Sequence, residues 1–265
     1  ELSLGHRQVV KDWNFDFNFN LTSIRNRAVD LEGRDLRSDG IIEGYPVLSE
    51  FGFKSNGIIR DQQTLDENPY LEDYGKSVGD IWILDLDGDG DLNGDDRTII
   101  GNKYPKFYYG FMSTVGFKSF SLQLQLQGVQ GIDRDVRGGN HTVFHYFNQW
   151  AMNHDRRILD RFNEEQNPDG AWPRVDVSDQ GKNRELSEFW LHDASFLRIR
   201  NINLNYTVPP ALASTIGMQN LSMYVSVQNL HTFTKFGGPE VDTQEDPLTG
   251  IPQPRVWSIG LKAGF

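Results

Sequence analysis

Apolar and polar positions alternate strictly near the start of the chain. Trp13, Phe15, Phe17, Phe19 and Leu21 are interleaved with Asn14, Asp16, Asn18, Asn20 and Thr22. A period of two over this length predicts an extended strand with one apolar and one polar face. The pattern returns in Phe120, Leu122, Leu124 and Leu126 against Ser121, Gln123, Gln125 and Gln127. It recurs in Ile202, Leu204 and Tyr206, in Leu221, Met223, Val225 and Val227, and in Trp257, Ile259, Leu261, Ala263 and Phe265. Seven strands are predicted, at about 1–6, 11–24, 105–116, 119–130, 194–207, 219–231 and 254–265.

The connections sharpen this picture. The joins near 7–10, 117–118 and 208–218 are short, whereas 25–104, 131–193 and 232–253 are long. Every second connection is short, so the short ones share one end of the sheet. Tight turns at one rim and long loops at the other are the arrangement of outer-membrane β-barrels, whose long loops face outward. Polar faces carrying Asn, Gln, Asp, Arg198 and Arg200 would line a wet lumen, and Trp13, Tyr108, Tyr109, Tyr206 and Trp257 lie near strand ends, where aromatic girdles belong. A soluble β-sandwich shows the same alternation, but with turns every 8–12 residues or so at both ends. Seven antiparallel strands cannot close, and an open edge is not tolerated in lipid. The rest of the barrel is therefore expected from residues outside this sequence. The chain opens on Glu1 with strand pattern and no leader segment, which predicts a mature fragment starting partway through a longer chain.

Composition agrees with this without deciding it. Hydrophobic residues make up 37% of the 265 residues, and no run approaches the roughly 20 apolar residues of a membrane helix. Barrel strands escape that test, because their alternation averages out. A net charge of −11 argues against a nucleic-acid surface. The absence of cysteine removes disulfides, zinc–thiolate sites and thiol catalysis.

Residues 85–96 read Asp-Leu-Asp-Gly-Asp-Gly-Asp-Leu-Asn-Gly-Asp-Asp and match the twelve-residue calcium-loop template. Asp85, Asp87 and Asp89 take the first, third and fifth positions, Gly90 the sharp turn and Leu92 the apolar eighth. Asp91 offers its carbonyl, Asn93 acts through water, and Asp96 replaces the usual glutamate at the twelfth. Crowded carboxylates repel, and a hard divalent cation, calcium before magnesium, relieves that repulsion. The alternative is a solvated acidic turn. The flank at Asp80-Ile-Trp-Ile-Leu looks extended, which favours a structural ion over a sensor.

Catalytic signals are weak. His141 and His145 lie four apart in a segment, about 141–162, with helical character, but no glutamate follows His141, and Phe144, Phe147 and Trp150 suggest packing. Glu164, Glu165, Asp176 and Asp179 offer a carboxylate pair of the kind that polar loops hold by chance. No nucleophile elbow or phosphate loop occurs, so the chain reads as a non-enzyme. Tyr146, Trp150, Trp172 and Trp190 in the second long loop are candidate contacts for a substrate or a covering partner, against the plainer alternative that they hold the loop together.

Taken together, these residues resemble the SusC/RagA-type TonB-dependent transporters of Bacteroidetes outer membranes. The run Asp85 to Gly101, followed by Pro105 and Tyr109-Gly110, resembles that family's acidic motif. Phe189-Trp-Leu-His-Asp-Ala-Ser-Phe-Leu-Arg-Ile-Arg to Pro209 is similar to its penultimate signature, and Gln228 to Glu240 to the stretch before its final strand. Phe265 resembles the terminal aromatic recognised during barrel assembly. Phe236, where tyrosine is common, and Gly238, in place of an acid before Pro239, depart mildly. The resemblance implies an all-β fold: the C-terminal seven or so antiparallel strands of a plugged barrel of about 22 strands, with its loops extracellular and its C-terminus periplasmic. It also implies a SusD-like surface lipoprotein as lid, energy from TonB through the plug, dimers of SusCD pairs, and import of an oligomeric glycan or peptide. The rival reading is a secreted, calcium-stabilised carbohydrate-binding sandwich.

Overall fold

The structure, a computed structural model, describes residues 1–34, 36–137, 156–176, 179–237 and 253–265. In chain order its elements are β1 Leu2–Val10, β2 Trp13–Ser23, β3 Ser49–Phe53, β4 Ser55–Ile58, α1 Gln62–Glu67, α2 Pro69–Asp73, β5 Ile81–Ile83, β6 Arg97–Asn102, β7 Phe107–Phe117 and β8 Phe120–Gln130. They continue with β9 Asp133–Asp135, β10 Leu191–Asp193, β11 Phe196–Thr207, α3 Pro210–Thr215, β12 Asn220–Thr234 and β13 Val256–Gly264. Seven of the strands form one sheet in the order β1-β2-β7-β8-β11-β12-β13, with every neighbour antiparallel.

The register carries the alternation across the whole sheet. Phe15 pairs with Val115, Val115 with Leu122, Leu122 with Leu204, Leu204 with Val225, and Val225 with Ile259. One residue along, Arg7, Asp16, Thr114, Gln123, Asn203, Ser226 and Ser258 form the matching polar row. A slip of one residue in any strand would put polar side chains among apolar ones, so this pattern fixes the register. A bulge between Ile199 and Asn201 in β11 absorbs Arg200 without breaking the alternation on either side.

The first strand is longer than its pattern predicts. It runs to Val10 and not to residue 6, and the turn is Lys11-Asp12 and not 7–10. His6 and Gln8 fall on the otherwise apolar face and hide the period, while Arg7 pairs with Asp16 on the other face and continues the ladder. Lys11 and Lys118 open the two-residue turns with φ of 54° and 52°, the positive values that hairpin turns need at that position. The third short join holds α3, with Pro210 in its first turn.

The apolar core lies off the sheet. The sheet's apolar face is uncovered: Leu4 is 57% exposed and Ile259 83%. Phe53, Ile59, Leu65, Leu71, Ile81, Ile83 and Leu92 from the first long connection instead meet Ile132, Val136, Trp190 and Ala194 from the second, with Val129 at the end of β8, Phe196 at the start of β11 and Phe236 beyond β12. The small pairs β3–β6, β4–β5 and β9–β10 frame this module. Its backbones interlock, with Phe53 N–H donating to the Leu186 carbonyl at 2.9 Å and Arg174 N–H to Gly79 at 2.7 Å. A Cβ on Gly52 would stand 2.4 Å from the Leu186 carbonyl oxygen, so that crossing requires glycine. Long connections that read as surface loops thus fold into a cap with its own interior, where each buried Leu, Ile or Phe contributes about 1.5–3 kcal/mol.

Candidate functional site: a two-faced wall and its capping loops

The sheet strands run 9–15 residues, and a tilted membrane-spanning strand needs about 9–11. Near the short-turn rim, Trp13 packs at a tilt against Phe117 with centroids 4.5 Å apart and Phe120 against Tyr206 at 4.7 Å, forming an aromatic edge to the apolar face. Tyr109 lies over Gly128, where a Cβ would come within 2.1 Å of its ring. Tyr108 is one residue out of phase and lies on the polar face, so it does not join the girdle expected of it. On that polar face Arg7 is bonded to Asp16 and Arg198 is buried, its Nε donating to Thr232 Oγ1 at 2.8 Å.

The acidic loop is wrapped by hydrogen bonds from its own side chains. Asp85 Oδ1 accepts the Gly88 amide at 2.7 Å and Oδ2 the Gly90 amide at 3.0 Å. Gly88 and Gly90, at φ of 77° and 88°, supply the left-handed backbone this wrapping needs. Carboxylate oxygens of Asp85, Asp87 and Asp89 converge to within 4.8 Å of one another. The Asp89 amide lowers the Asp87 pKa, but burial and the Asp89, Asp96 and Asp85 carboxylates outweigh it and hold it above the usual carboxylate value. Asp96 stands apart from the convergent three. It is fully buried, its Oδ1 accepts the Leu86 amide at 2.7 Å and its Oδ2 the Asn93 amide at 2.8 Å, so it clasps the loop from inside. Asn93 Oδ1 accepts the Asp95 amide at 2.7 Å, and the Asp91 amide donates to Asp89. The donor set fits a hard divalent cation: all oxygen, anionic and converging.

A polar knot that sequence reasoning missed joins the two long connections. Asp80, fully buried, receives Arg174 Nε at 2.7 Å and Nη2 at 3.0 Å, Asn183 Nδ2 at 2.7 Å and the Ser77 amide at 2.9 Å. Lys76 Nζ, also buried, donates to the Gly181 carbonyl at 2.6 Å, and burial pulls its pKa down to about 8 against the pull of Asp80. Partners about a hundred residues apart leave no local signal in the sequence.

The remaining candidates divide. Trp190 is fully buried, and its Nε1 donates to the Asn183 carbonyl at 2.8 Å. It is a core residue, not a contact for a solute, because its ring packs between Phe189 and Trp172. Trp172 is half-buried beside His192 and the Arg157 guanidinium. Tyr146, Trp150, His141 and His145 lie outside the described residues. Residues 156–160 of the segment expected to be helical form a 3-10 turn. Asp179 accepts the Asn183 amide at 2.8 Å and Asp176 approaches Arg174 at 3.7 Å, which ties both into the loop scaffold; Glu164 and Glu165 are exposed.

An antiparallel sheet with one largely apolar face, tight turns at one rim and folded connections at the other has the arrangement of a transmembrane barrel wall. The comparisons with known proteins place it further. The chain is similar over its whole length to TonB-dependent receptor P3 of Formosa agariphila (26% identity, 28% of that protein) and to TonB-dependent receptor SusC of Bacteroides thetaiotaomicron (26% identity, 26% of that protein). Among solved structures it superposes on the RagAB peptide importer in the open-open state (TM-score 0.70, 23% identity) and the closed-closed state (TM-score 0.71, 24% identity), covering 99% of this chain and 28% and 29% of those chains. No family model matches. The chain is thus similar to SusC and other TonB-dependent receptors, has the fold of part of such a receptor's barrel, and spans just over a quarter of their length.

Proposed function

We propose that this chain is part of the barrel of a SusC-like, TonB-dependent outer-membrane importer that takes up an oligomeric nutrient, a glycan or a peptide. The observation that carries this reading is the apolar row from Phe15 to Ile259, continuous over six strands and uncovered, set back to back with a polar row. One face suits hydrocarbon and the other an aqueous lumen, and the similarity to TonB-dependent receptors supplies the class of transport. In this reading the cap faces outward, where a SusD-like lipoprotein meets it. TonB supplies energy through a plug, pairs of transporter and lipoprotein dimerise, and the C-terminus faces the periplasm. The chain breaks no bond; it contributes lumen wall and an outward docking surface.

A calcium ion, with magnesium as the second choice, is proposed in the loop 85–96, held by Asp85, Asp87 and Asp89 with Asp91, Asn93 and Asp96 completing the wrapping. Its role is to order backbone that otherwise costs entropy to fix. Chelation is expected to speed proteolysis in this loop and weaken lipoprotein binding; unchanged cleavage and binding would refute the role.

The function is tested by isolating the complex from detergent-solubilised outer membranes and weighing its polypeptides. A parent several times the 30.3 kDa of this chain, together with a surface lipoprotein, supports the reading. A lone soluble species refutes it and favours the carbohydrate-binding sandwich.

A further inference from the structure

A cavity of about 560 Å³ opens where β2 and β7 leave the sheet, lined by Ser23, Ile24, Arg25, Asn26, Arg27, Gly44, Pro46, Asn102, Tyr104, Pro105, Lys106 and Phe107. Its composition runs against the chain. The protein carries a net charge of −11, yet three lining residues are cationic and none is acidic. Arg25, Arg27 and Lys106 form no ion pair among the described residues, and Arg25 and Arg27 are exposed.

The register says which way the cavity faces. Ser23 and Phe107 are cross-strand partners in phase with Leu21 and Tyr109, on the apolar side of the sheet. Thr22 and Tyr108, paired on the polar side, do not line it. Ile24, whose amide donates to the Lys106 carbonyl at 3.4 Å, and Lys106 continue the ladder by one pair, so the cavity lies across the ends of the two strands, beside the long connections, and borders the apolar side at Ser23 and Phe107. Its walls are fixed: Asn26 Oδ1 accepts the Val47 amide at 2.7 Å, the Ala28 amide donates to Tyr45 at 3.0 Å, and Asn102 Nδ2 donates to Ser49 Oγ at 3.2 Å.

We propose that this cavity binds a lipid of the outer leaflet through a phosphate-bearing headgroup. The phosphate sits among Arg25, Arg27 and Lys106, where guanidinium groups match its oxygens in a fork. The glycerol or sugar and the first methylenes lie against Ile24, Tyr104, Pro105 and Phe107, and the acyl chains continue down the apolar face past Tyr109 and Leu21. The inference rests on the membrane placement proposed above, because it requires this rim to lie at headgroup level. A soluble phosphorylated compound shares the headgroup chemistry but has no use for an apolar face continuous with the site.

The test uses the intact membrane protein, extracted from the outer-membrane fraction, delipidated and titrated with short-chain phosphatidylglycerol. Inorganic phosphate serves as the second arm. The wild type is expected to bind phosphatidylglycerol, with each of R25Q, R27Q and K106Q weakening it about fivefold, the factor one basic side chain contributes at an anionic membrane surface. The R25K/R27K variant, which keeps the charge but loses the fork, should bind between wild type and R25Q/R27Q, and migration of the unheated barrel on gels confirms that each variant is folded. Unchanged lipid affinity in folded R25Q/R27Q/K106Q protein would overturn the proposal while leaving the transporter reading intact. Inorganic phosphate binding as tightly as the lipid would overturn the lipid assignment. Recovery of the protein only outside the membrane would overturn the transporter reading and this proposal with it.

Discussion

Replacing Arg174 with methionine removes the charge partner of Asp80 and nearly preserves side-chain volume. Asp80 is fully buried, and two of its four donors, at 2.7 and 3.0 Å, come from that guanidinium. The Asn183 amide and the Ser77 N–H would remain, so the carboxylate would keep two neutral hydrogen bonds, with the Lys76 ammonium nearby as its remaining counter-charge. Breaking a buried pair from one side costs about 3–5 kcal/mol. The Arg174 side chain is 33% exposed, so water softens the loss to about 2–3 kcal/mol. The cost falls on opening of the capping module, because the knot's hydrogen bonds join its two connections and, among the described residues, none reaches the sheet ladder. The population of the open module should rise about 30- to 150-fold. Limited proteolysis of the intact protein in detergent, at low protease, reads that population directly. Cuts in the connections of R174M should accelerate by this factor while the unheated barrel keeps its gel mobility. The double variant D80N/R174M should recover part of the loss, since a neutral amide needs no counter-charge. Cleavage within threefold or so of wild type, or loss of the barrel in parallel with the module, would refute the assignment of the pair as a local clasp.

Three further outcomes follow from the geometry. Leu204→Arg, at the middle of the apolar row, should cost about 2–4 kcal/mol in barrel unfolding, whereas Asn203→Arg, one residue away on the polar face, should cost little; equal costs would contradict a one-sided membrane face. Lys76 has a folded pKa near 8, below its unfolded value of about 10.4, so the unfolded chain binds the extra proton between these values. Stability of the capping module, followed by tryptophan fluorescence in urea, should therefore rise from about pH 8 toward pH 10, and Lys76→Met should flatten that rise. Gly128→Ala places a methyl group inside the Tyr109 ring and should lower the barrel's melting temperature, with Tyr109→Ser restoring much of it in the double variant; additive losses would show that the two residues do not meet.

The sheet was legible because membrane strands write their environment in a period of two. Phe15 to Leu21 and Phe120 to Leu126 state both face and register without help from the rest of the fold. Where the alternation lapses, at His6 and Gln8, the strand was lost from view although its ladder continues. The acidic loop's hydrogen bonds are local: they span five residues or fewer, apart from Asp96 reaching back to Leu86, so neighbouring residues encode its wrapping. The capping module was not legible. Phe53 meets the backbone of Leu186, and Asp80 meets Arg174, across more than ninety residues of intervening chain. Trp190 shows the consequence, since an aromatic residue in a predicted loop reads as exposed until the fold that buries it is known.

The central claim, that one face of the sheet meets lipid and the other water, is tested most directly by single cysteines. The chain has none of its own, which leaves this region free of background. Cysteines at Leu204, Val225 and Ile259, labelled with a fluorophore in the intact protein in vesicles, should be quenched by lipid-borne quenchers and shielded from water-soluble ones. Cysteines at Asn203, Ser226 and Ser258 should show the reverse. Equal access of water-soluble quenchers to both sets would contradict the account and return the sheet to a soluble sandwich.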